Sequence, residues 1–396
     1  MSASVVAVMA VLMGTLLFSN VPSQLGLYRW LASHYSSRMG STPAFHYGIP
    51  WKYTFQELYH TSNLEYLRGQ TAIVTGANAG LGYEISLALA RLGVAVTMAC
   101  RNPVKCEAAA EQIRADDEFR GNVSTLTMDT ASLSSVQAFA QAYMNKAITS
   151  ANKSPALDML FLNAGTVFTN QEYECVPLSQ DGIEIVFATN YIGHHLLYRL
   201  LEPLLQASKL ARVVQTSSAA SYFPYSYRVA TDLETLNGCS EPFTTSASGV
   251  PNRSYGQSKL AQILWSKAVT KSLGPDSNIY VNAFHPGVVN TEIWDKSLTQ
   301  AGASDRIRRV FAWLQTQVMW KPSEGALTGL FLGVQVNRLV ADNIRGKYYH
   351  PQAQKATNEL ANDVKLQDDL LEFSDFLVKD FVVDLKDRRH GSMTTQ

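Results

Sequence analysis

The stretch TAIVTGANAGLG, residues 71–82, decides the fold. Its first five residues read as a buried strand, the next few as a glycine-rich turn, and the Ala/Leu-rich run after them as a helix. Gly76, Gly80 and Gly82, with Asn78 and Leu81 among them, therefore sit where a strand hands over to a helix N-terminus. Backbone N–H groups and the helix dipole favour a pyrophosphate at such a place. A Cβ on any of the three glycines would obstruct the turn, the phosphate or the helix–strand packing. The spacing differs from the common G-x-G-x-x-G fingerprint, and an ordinary tight turn can share this composition. The position between strand and helix is what favours a dinucleotide.

Outward from that unit the pattern repeats. VAVTMA (94–99), VSTLTMD (123–129), LDMLFLN (157–163), RVVQTS (212–217) and IYVNAF (279–284) are short apolar runs separated by segments of helical spacing. Strands that alternate with helices and are apolar throughout predict an α/β fold, a Rossmann-type doubly wound parallel sheet covered on both faces. One dinucleotide-binding catalytic domain over 68–350 is the simplest organisation, followed by a C-terminal region, 351–396, with a helix from about 354 to 380.

The N-terminus differs in kind. Residues 2–18, SASVVAVMAVLMGTLLF, carry no charge, and no Lys or Arg precedes them. This predicts a membrane anchor within 1–20, with a cleaved signal or a buried helix as the other readings. Arg29, Arg38 and Lys52 follow the run, so the main domain is expected on the cytoplasmic side of an endoplasmic reticulum-like membrane. Residues 21–67 read as a connector, either a plain linker or a segment lying against the membrane face. The 33 basic and 33 acidic residues cancel, which argues against nucleic acid as a partner. Cys100, Cys106, Cys175 and Cys239 form neither a C-x-x-C pair nor a zinc pattern, and four free thiols are expected.

Arg101 follows the second strand, where an enzyme specific for NAD(H) commonly places a carboxylate for the ribose. A guanidinium there pairs with a 2′-phosphate, so NADP(H) is favoured over NAD(H), unless Arg101 is only a solvated loop charge. Asp129 ends the third strand and either accepts from an adenine amino group or caps the next helix. Asn163-Ala164-Gly165 ends the fourth, where small residues would let the chain pass under a cofactor; alone it is any strand-to-loop turn.

Tyr255-Gly256-Gln257-Ser258-Lys259 opens a helical run. Residues four apart share a helix face, so the phenol and the ammonium project together. A nearby cation favours phenolate and would lower a pKa that is ordinarily about 10, suiting Tyr255 to proton transfer beside a hydride carrier. Such a pair arises about once by chance among 18 tyrosines, so its weight depends on its surroundings. Ser218, at the carboxyl end of the strand RVVQTS, could donate to a substrate oxygen, or simply form a turn. Asn190 is a polar amide in an apolar run and could hold a water leading from Lys259 to solvent. His194 and His195 read as packing or surface residues rather than metal ligands. Pro286-Gly287, after His285, could wall a nicotinamide, with Thr291 reaching its carboxamide or the pyrophosphate; a plain turn reads the same.

Taken in order, Thr75-Gly76-x-x-x-Gly80-x-Gly82, Asn163-Ala164-Gly165, Asn190, Ser218, Tyr255-x-x-x-Lys259 and Pro286-Gly287 resemble the short-chain dehydrogenase/reductase family over about residues 70–350. The resemblance implies that Asn190, Ser218, Tyr255 and Lys259 carry out hydride and proton transfer and that Lys259 also binds the nicotinamide ribose. Ala99-Cys100-Arg101-Asn102 and Pro322-Ser323-Glu324-Gly325-Ala326 look closest to the retinol dehydrogenase-like and WW-domain oxidoreductase-like branch, without a WW domain. That branch implies a membrane anchor and a small apolar carbonyl or alcohol as substrate, such as a retinoid, a sterol or a fatty aldehyde. The irregular insert TLNGCSEPFTTSASGVPNRS before Tyr255 departs from the pattern and puts the substrate class in doubt. A reductase of a conjugated double bond and a non-catalytic NADPH-binding scaffold are the alternatives. The helix from Asn252 to Leu273 could pair between subunits of a homodimer.

Overall fold

A computed structural model describes residues 54–150, 155–167, 176–238, 253–287, 289 and 320–391. Eight strands form one sheet: β1 (Thr71–Thr75), β2 (Ala95–Cys100), β3 (Asn122–Thr127), β4 (Met159–Leu162), β5 (Ala211–Thr216), β6 (Ile279–Phe284), β7 (Tyr348–His350) and β8 (Gln354–Ala356). Their spatial order is β3-β2-β1-β4-β5-β6-β7-β8. Pairing is parallel through β7, and β8 returns antiparallel along it. The order reverses between β1 and β4, which opens the crevice beyond their carboxyl ends where α/β sheets bind ligands.

Helices cover both faces. In chain order they are α1 (Phe55–Thr61), α2 (Leu64–Leu67), α3 (Gly80–Arg91), α4 (Pro103–Arg114), α5 (Leu133–Ser150), α6 (Ile185–Phe187), α7 (Gly193–Gln206), α8 (Leu233–Asn237), α9 (Arg253–Leu273), α10 (Pro322–Val334), α11 (Val336–Ala341) and α12 (Val364–Gly391). A π-helical turn, Ala188–Ile192, joins α6 to α7. Side-chain alternation along the strands splits the core. Ile73 packs on the side of α5, α7, α9 and α12, whereas Ala72 and Val74 pack on the side of α3, α4 and α10. Arg212 of β5 is fully buried yet satisfied, donating to the carbonyls of Gly333 and Leu210 and to Gln70 Oε1.

Several expectations change. The end of the expected connector is structured: Thr54 and Glu57 form a capping box for α1, and Leu58 and Leu67 are buried. Helices of seven and four residues are too short for periodicity to show in a sequence. The C-terminal helix does not begin near 354. Residues 354–356 are β8, and the helix runs Val364–Gly391 behind an Asp363 carboxylate that accepts from the Leu366 N–H. That helix lies along α9 and α7, held by Tyr191 to Ser374, by His195 and Arg199 to Asp375, and by Lys271 to Asp368. Residues Gly256–Ser266 of α9 are consequently buried within one chain, and the helix turns its more exposed residues, Lys271 and Ser272, outward near its end. Cys100 and Cys106 are not free thiols. The turn from β2 into α4 brings their Cα atoms to 5.9 Å and a disulfide joins them. Cys175, Cys239 and the expected anchor at 1–20 lie outside the described residues. Among the described residues no helix is long and apolar enough to cross a membrane.

Candidate active site

The first wall of the crevice is the turn from β1 to α3. Gly76 has φ +63°, and a Cβ there would come within 3.0 Å of the Ala164 backbone. A Cβ on Gly82 would lie 2.3 Å from the Gly76 carbonyl and 2.7 Å from Asn163 Nδ2. No side chain caps α3, whose N-cap is Ala79, so its first N–H groups are left for an anion. A dinucleotide pyrophosphate fits this cradle. Asn78 and Leu81 lie in the same turn, and Leu81 also meets the start of α10, where a Cβ on Gly325 would be 3.0 Å from its Cδ2.

Arg101 is exposed directly after β2. Asp129 Oδ1 accepts from Ala131 N, ahead of α5, and its own N–H donates to Ser135 Oγ, while the side chain that caps α5 is Ser132, whose Oγ accepts from Ser135 N. Asn163 ties three strands together, donating to the Thr75 carbonyl and accepting from the Thr216 hydroxyl. Gly165 matters for the space it leaves. A Cβ there would be 3.4 Å from Asn190 Oδ1 and 3.5 Å from Lys259 Nζ, so both groups border one small gap. Gly287, at φ +94°, brings the Pro286-Gly287 turn against Trp320. Thr291 lies outside the described residues.

Tyr255 and Lys259 occupy the first turns of α9, and the Lys259 ammonium lies 5.3 Å from the centroid of the phenol ring. The Tyr255 hydroxyl is hydrogen-bonded to Ser218. Ser218 follows β5, where its Oγ accepts from Ala220 N and opens a 3₁₀ turn, Ala219–Tyr222. Two further bonds fix this arrangement. Ser217 Oγ donates to the Lys259 carbonyl at 2.7 Å, and Ala219 N donates to Nδ1 of the buried His285 at 3.2 Å. Asn190 sits in the π turn, fully buried. Its Nδ2 donates to Ser258 Oγ and the Thr166 carbonyl, and its Oδ1 accepts from Thr166 N. The structure thus brings Asn190, Ser218, Tyr255, Lys259, Gly165 and the glycine turn to one end of the sheet.

The electrostatics depart from expectation. Burial pushes the Tyr255 phenol up to about 12, only partly offset by its bond to Ser218, and pulls Lys259 down to about 7. Burial, not the neighbouring ammonium, sets the direction of the phenol's shift. Lys259 Nζ donates to the Thr216 carbonyl at 2.8 Å and lies over the ring, so burial dominates for both groups.

Sequence reasoning missed several participants: Thr75 through its side chain, Thr166, Ser258, Gln262 and His285. Gln262 lies seven residues after Tyr255, a spacing that returns to the same helix face and could have flagged it. Of the two readings open to His194 and His195, packing holds: both are fully buried and hydrogen-bonded.

Comparison with known proteins agrees with this geometry. The family model for short chain dehydrogenases matches residues 70–230. Retinol dehydrogenase 13 of Homo sapiens is 34% identical over 298 residues, covering 74% of this chain and 80% of that protein. Polyprenol dehydrogenase of Homo sapiens is 30% identical over 306 residues, covering 76% and 82%. Among solved structures, L-sorbose reductase from Gluconobacter frateurii, complexed with NADPH and L-sorbose, shares the fold with a TM-score of 0.54 at 19% identity, covering 72% of this chain and 95% of that one. Relatedness at this level along most of both sequences makes the protein a short-chain dehydrogenase/reductase, an oxidoreductase of that family.

Proposed function

We propose that the protein interconverts an apolar carbonyl compound and its alcohol using NADP(H). The observation that carries the reading is the Tyr255 phenol, bonded to Ser218 and lying beside Lys259, at the same end of the sheet as an uncapped helix N-terminus. A bound nicotinamide supplies the hydride. Ser218 and Tyr255 hold the substrate oxygen between two hydroxyls, and Tyr255 gives or takes the proton at that oxygen. With its pKa pushed up to about 12, the phenol rests in its neutral form, which is the form needed to protonate an alkoxide during carbonyl reduction. Lys259 and Asn190, meeting across Gly165, border the gap through which that proton is restored.

The preference for NADP(H) rests on Arg101, an exposed guanidinium where a carboxylate would select against a 2′-phosphate. The NADPH-bound state of the sorbose reductase is consistent with it. The apolar substrate class comes from the retinol and polyprenol dehydrogenases. Residues 1–20 are proposed to hold the chain on a membrane, with resistance to alkaline carbonate extraction as the check.

The test is turnover of aldehydes, ketones, retinoids and a polyprenal, with NADPH and NADH in parallel and an enone as a chromophoric control. The expected result is NADPH-dependent reduction of apolar carbonyls, with kcat falling about a thousandfold in Tyr255→Phe while NADPH still binds. Undiminished turnover in Tyr255→Phe, or reduction of the enone double bond alone, overturns the reading.

A further inference from the structure

The mechanism above gives His194 no role, yet it is fully buried between the two halves of the site. Its Nε2 lies 2.9 Å from Thr75 Oγ1, and its Nδ1 lies 3.0 Å from the Asn190 carbonyl. The hydrogen-bond inventory of these groups allows one assignment. Thr75 Oγ1 already accepts from the N–H groups of Asn163 and Ala164, both at 2.8 Å. A hydroxyl has two acceptor sites and one hydrogen, so the remaining Thr75 hydrogen points to His194 Nε2. Nε2 is then the acceptor, Nδ1 carries the proton, and it donates to Asn190 O. That carbonyl also accepts from Gln262 Nε2 at 2.8 Å, which fills both of its acceptor sites.

We infer that His194 is a positioning residue: a neutral imidazole of fixed tautomer that couples the cofactor turn to the π turn bearing Asn190. Thr75 immediately precedes Gly76, and the same hydroxyl holds the Asn163-Ala164 backbone against which Gly76 packs. At the other end, Asn190 sits where the helix takes in one extra residue and widens, a π turn of the kind often found at functional sites. Such a turn needs its carbonyls held from outside, and His194 with Gln262 does this. One hydrogen-bonded path thereby ties the position of the glycine turn to the amide that borders Lys259. Burial and the nearby Lys259 hold His194 down to about 3, so the imidazole stays neutral at physiological pH. The inference rests on the reading of Asn190, Tyr255 and Lys259 as the reacting group, but its first test does not.

That test is long-range ¹H–¹⁵N spectroscopy of the full chain labelled at histidine, with His194→Gln to assign the signal. The expected result is an Nδ1–H tautomer, unchanged between about pH 5 and 9, whose Nε2 resonance moves in Thr75→Val. The second test is a cycle of Thr75→Val and His194→Phe. Each is expected to weaken NADPH binding and lower kcat about tenfold with little change in KM for the carbonyl, and the double variant to lose no more than either. His194→Gln, which keeps a donor and an acceptor, should recover most of the activity. An Nε2–H tautomer, or losses that multiply to about a hundredfold, overturns the inference. If His194→Phe does not fold, an Nε2 resonance indifferent to Thr75→Val does so alone. Activity surviving in Tyr255→Phe would instead remove the catalytic reading while leaving the tautomer and the NADPH coupling intact.

Discussion

The two halves of the site are built on opposite principles. The cofactor turn between β1 and α3 works by what is missing: Gly76 and Gly82 leave space that one Cβ would fill, and Ala79 leaves the helix end uncapped. The catalytic half works by what is present. Asn190, Ser258, Lys259 and Gln262 are polar side chains carried into the interior, and their hydrogen bonds hold a π turn and a helix in place. The first half should therefore fail when atoms are added, and the second when atoms are removed.

The largest effect is expected where the added atom has nowhere to go. In Gly82→Ala the new methyl would stand 2.3 Å from the Gly76 carbonyl, and both neighbours are backbone or strand-tying amide. Overpacking of this kind costs about 1–3 kcal/mol, so NADPH affinity should fall up to about a hundredfold, read by quenching of protein fluorescence. An unchanged affinity would break the contrast, because the turn would then have slack that the geometry denies it. A smaller and more selective loss is expected at the rim. Arg101→Glu removes a charge-assisted contact worth about 1.5–3 kcal/mol and adds repulsion, so NADPH should weaken about thirtyfold and NADH about twofold or less. Equal losses for both would make Arg101 a surface charge.

The same contrast explains what could be read in the sequence. Glycines at a strand–helix junction are local, since their meaning depends on neighbours in the chain, and strand alternation with apolar runs is local too. The sheet through β6, the cofactor turn and the order of the polar site residues were accordingly legible. The hydrogen bond from Gln262 to Asn190 joins residues 72 apart, and that from Thr75 to His194 joins residues 119 apart. No spacing rule reaches that far. The Tyr255–Lys259 pair was legible as a shared helix face, but its charge state was not, because burial outweighs proximity and is a property of the whole fold. The disulfide between Cys100 and Cys106 escaped notice since a separation of six matches no short motif. The C-terminal helix starts about ten residues after the helical spacing begins, because β8 and the turn after it carry too few residues to register as a break.

The smallest effect tests whether the catalytic half is assembled for stability or for chemistry. Lys259 is lowered to about 7 in the folded chain, against about 10.4 for an unfolded lysine. Between those values the unfolded chain binds the extra proton, so unfolding is favoured as pH falls, and stability climbs as pH rises from about 7. One such group contributes at most about 1.4 kcal/mol per pH unit. Lys259→Met deletes the charge and also leaves the Thr216 carbonyl without its side-chain donor, a cost that does not vary with pH. Subtracting the two stabilities at each pH isolates the charge. The variant's advantage over the native chain should be greatest near pH 7 and shrink steadily towards pH 9.5, read from urea midpoints. A difference flat across that range would mean that the ammonium is hydrated in the folded protein. A sloping one would mean that burial strips the proton from Lys259 in the folded chain, so that the site holds an amine poised near neutral pH at the expense of the fold, which is intelligible only if that proton serves the reaction.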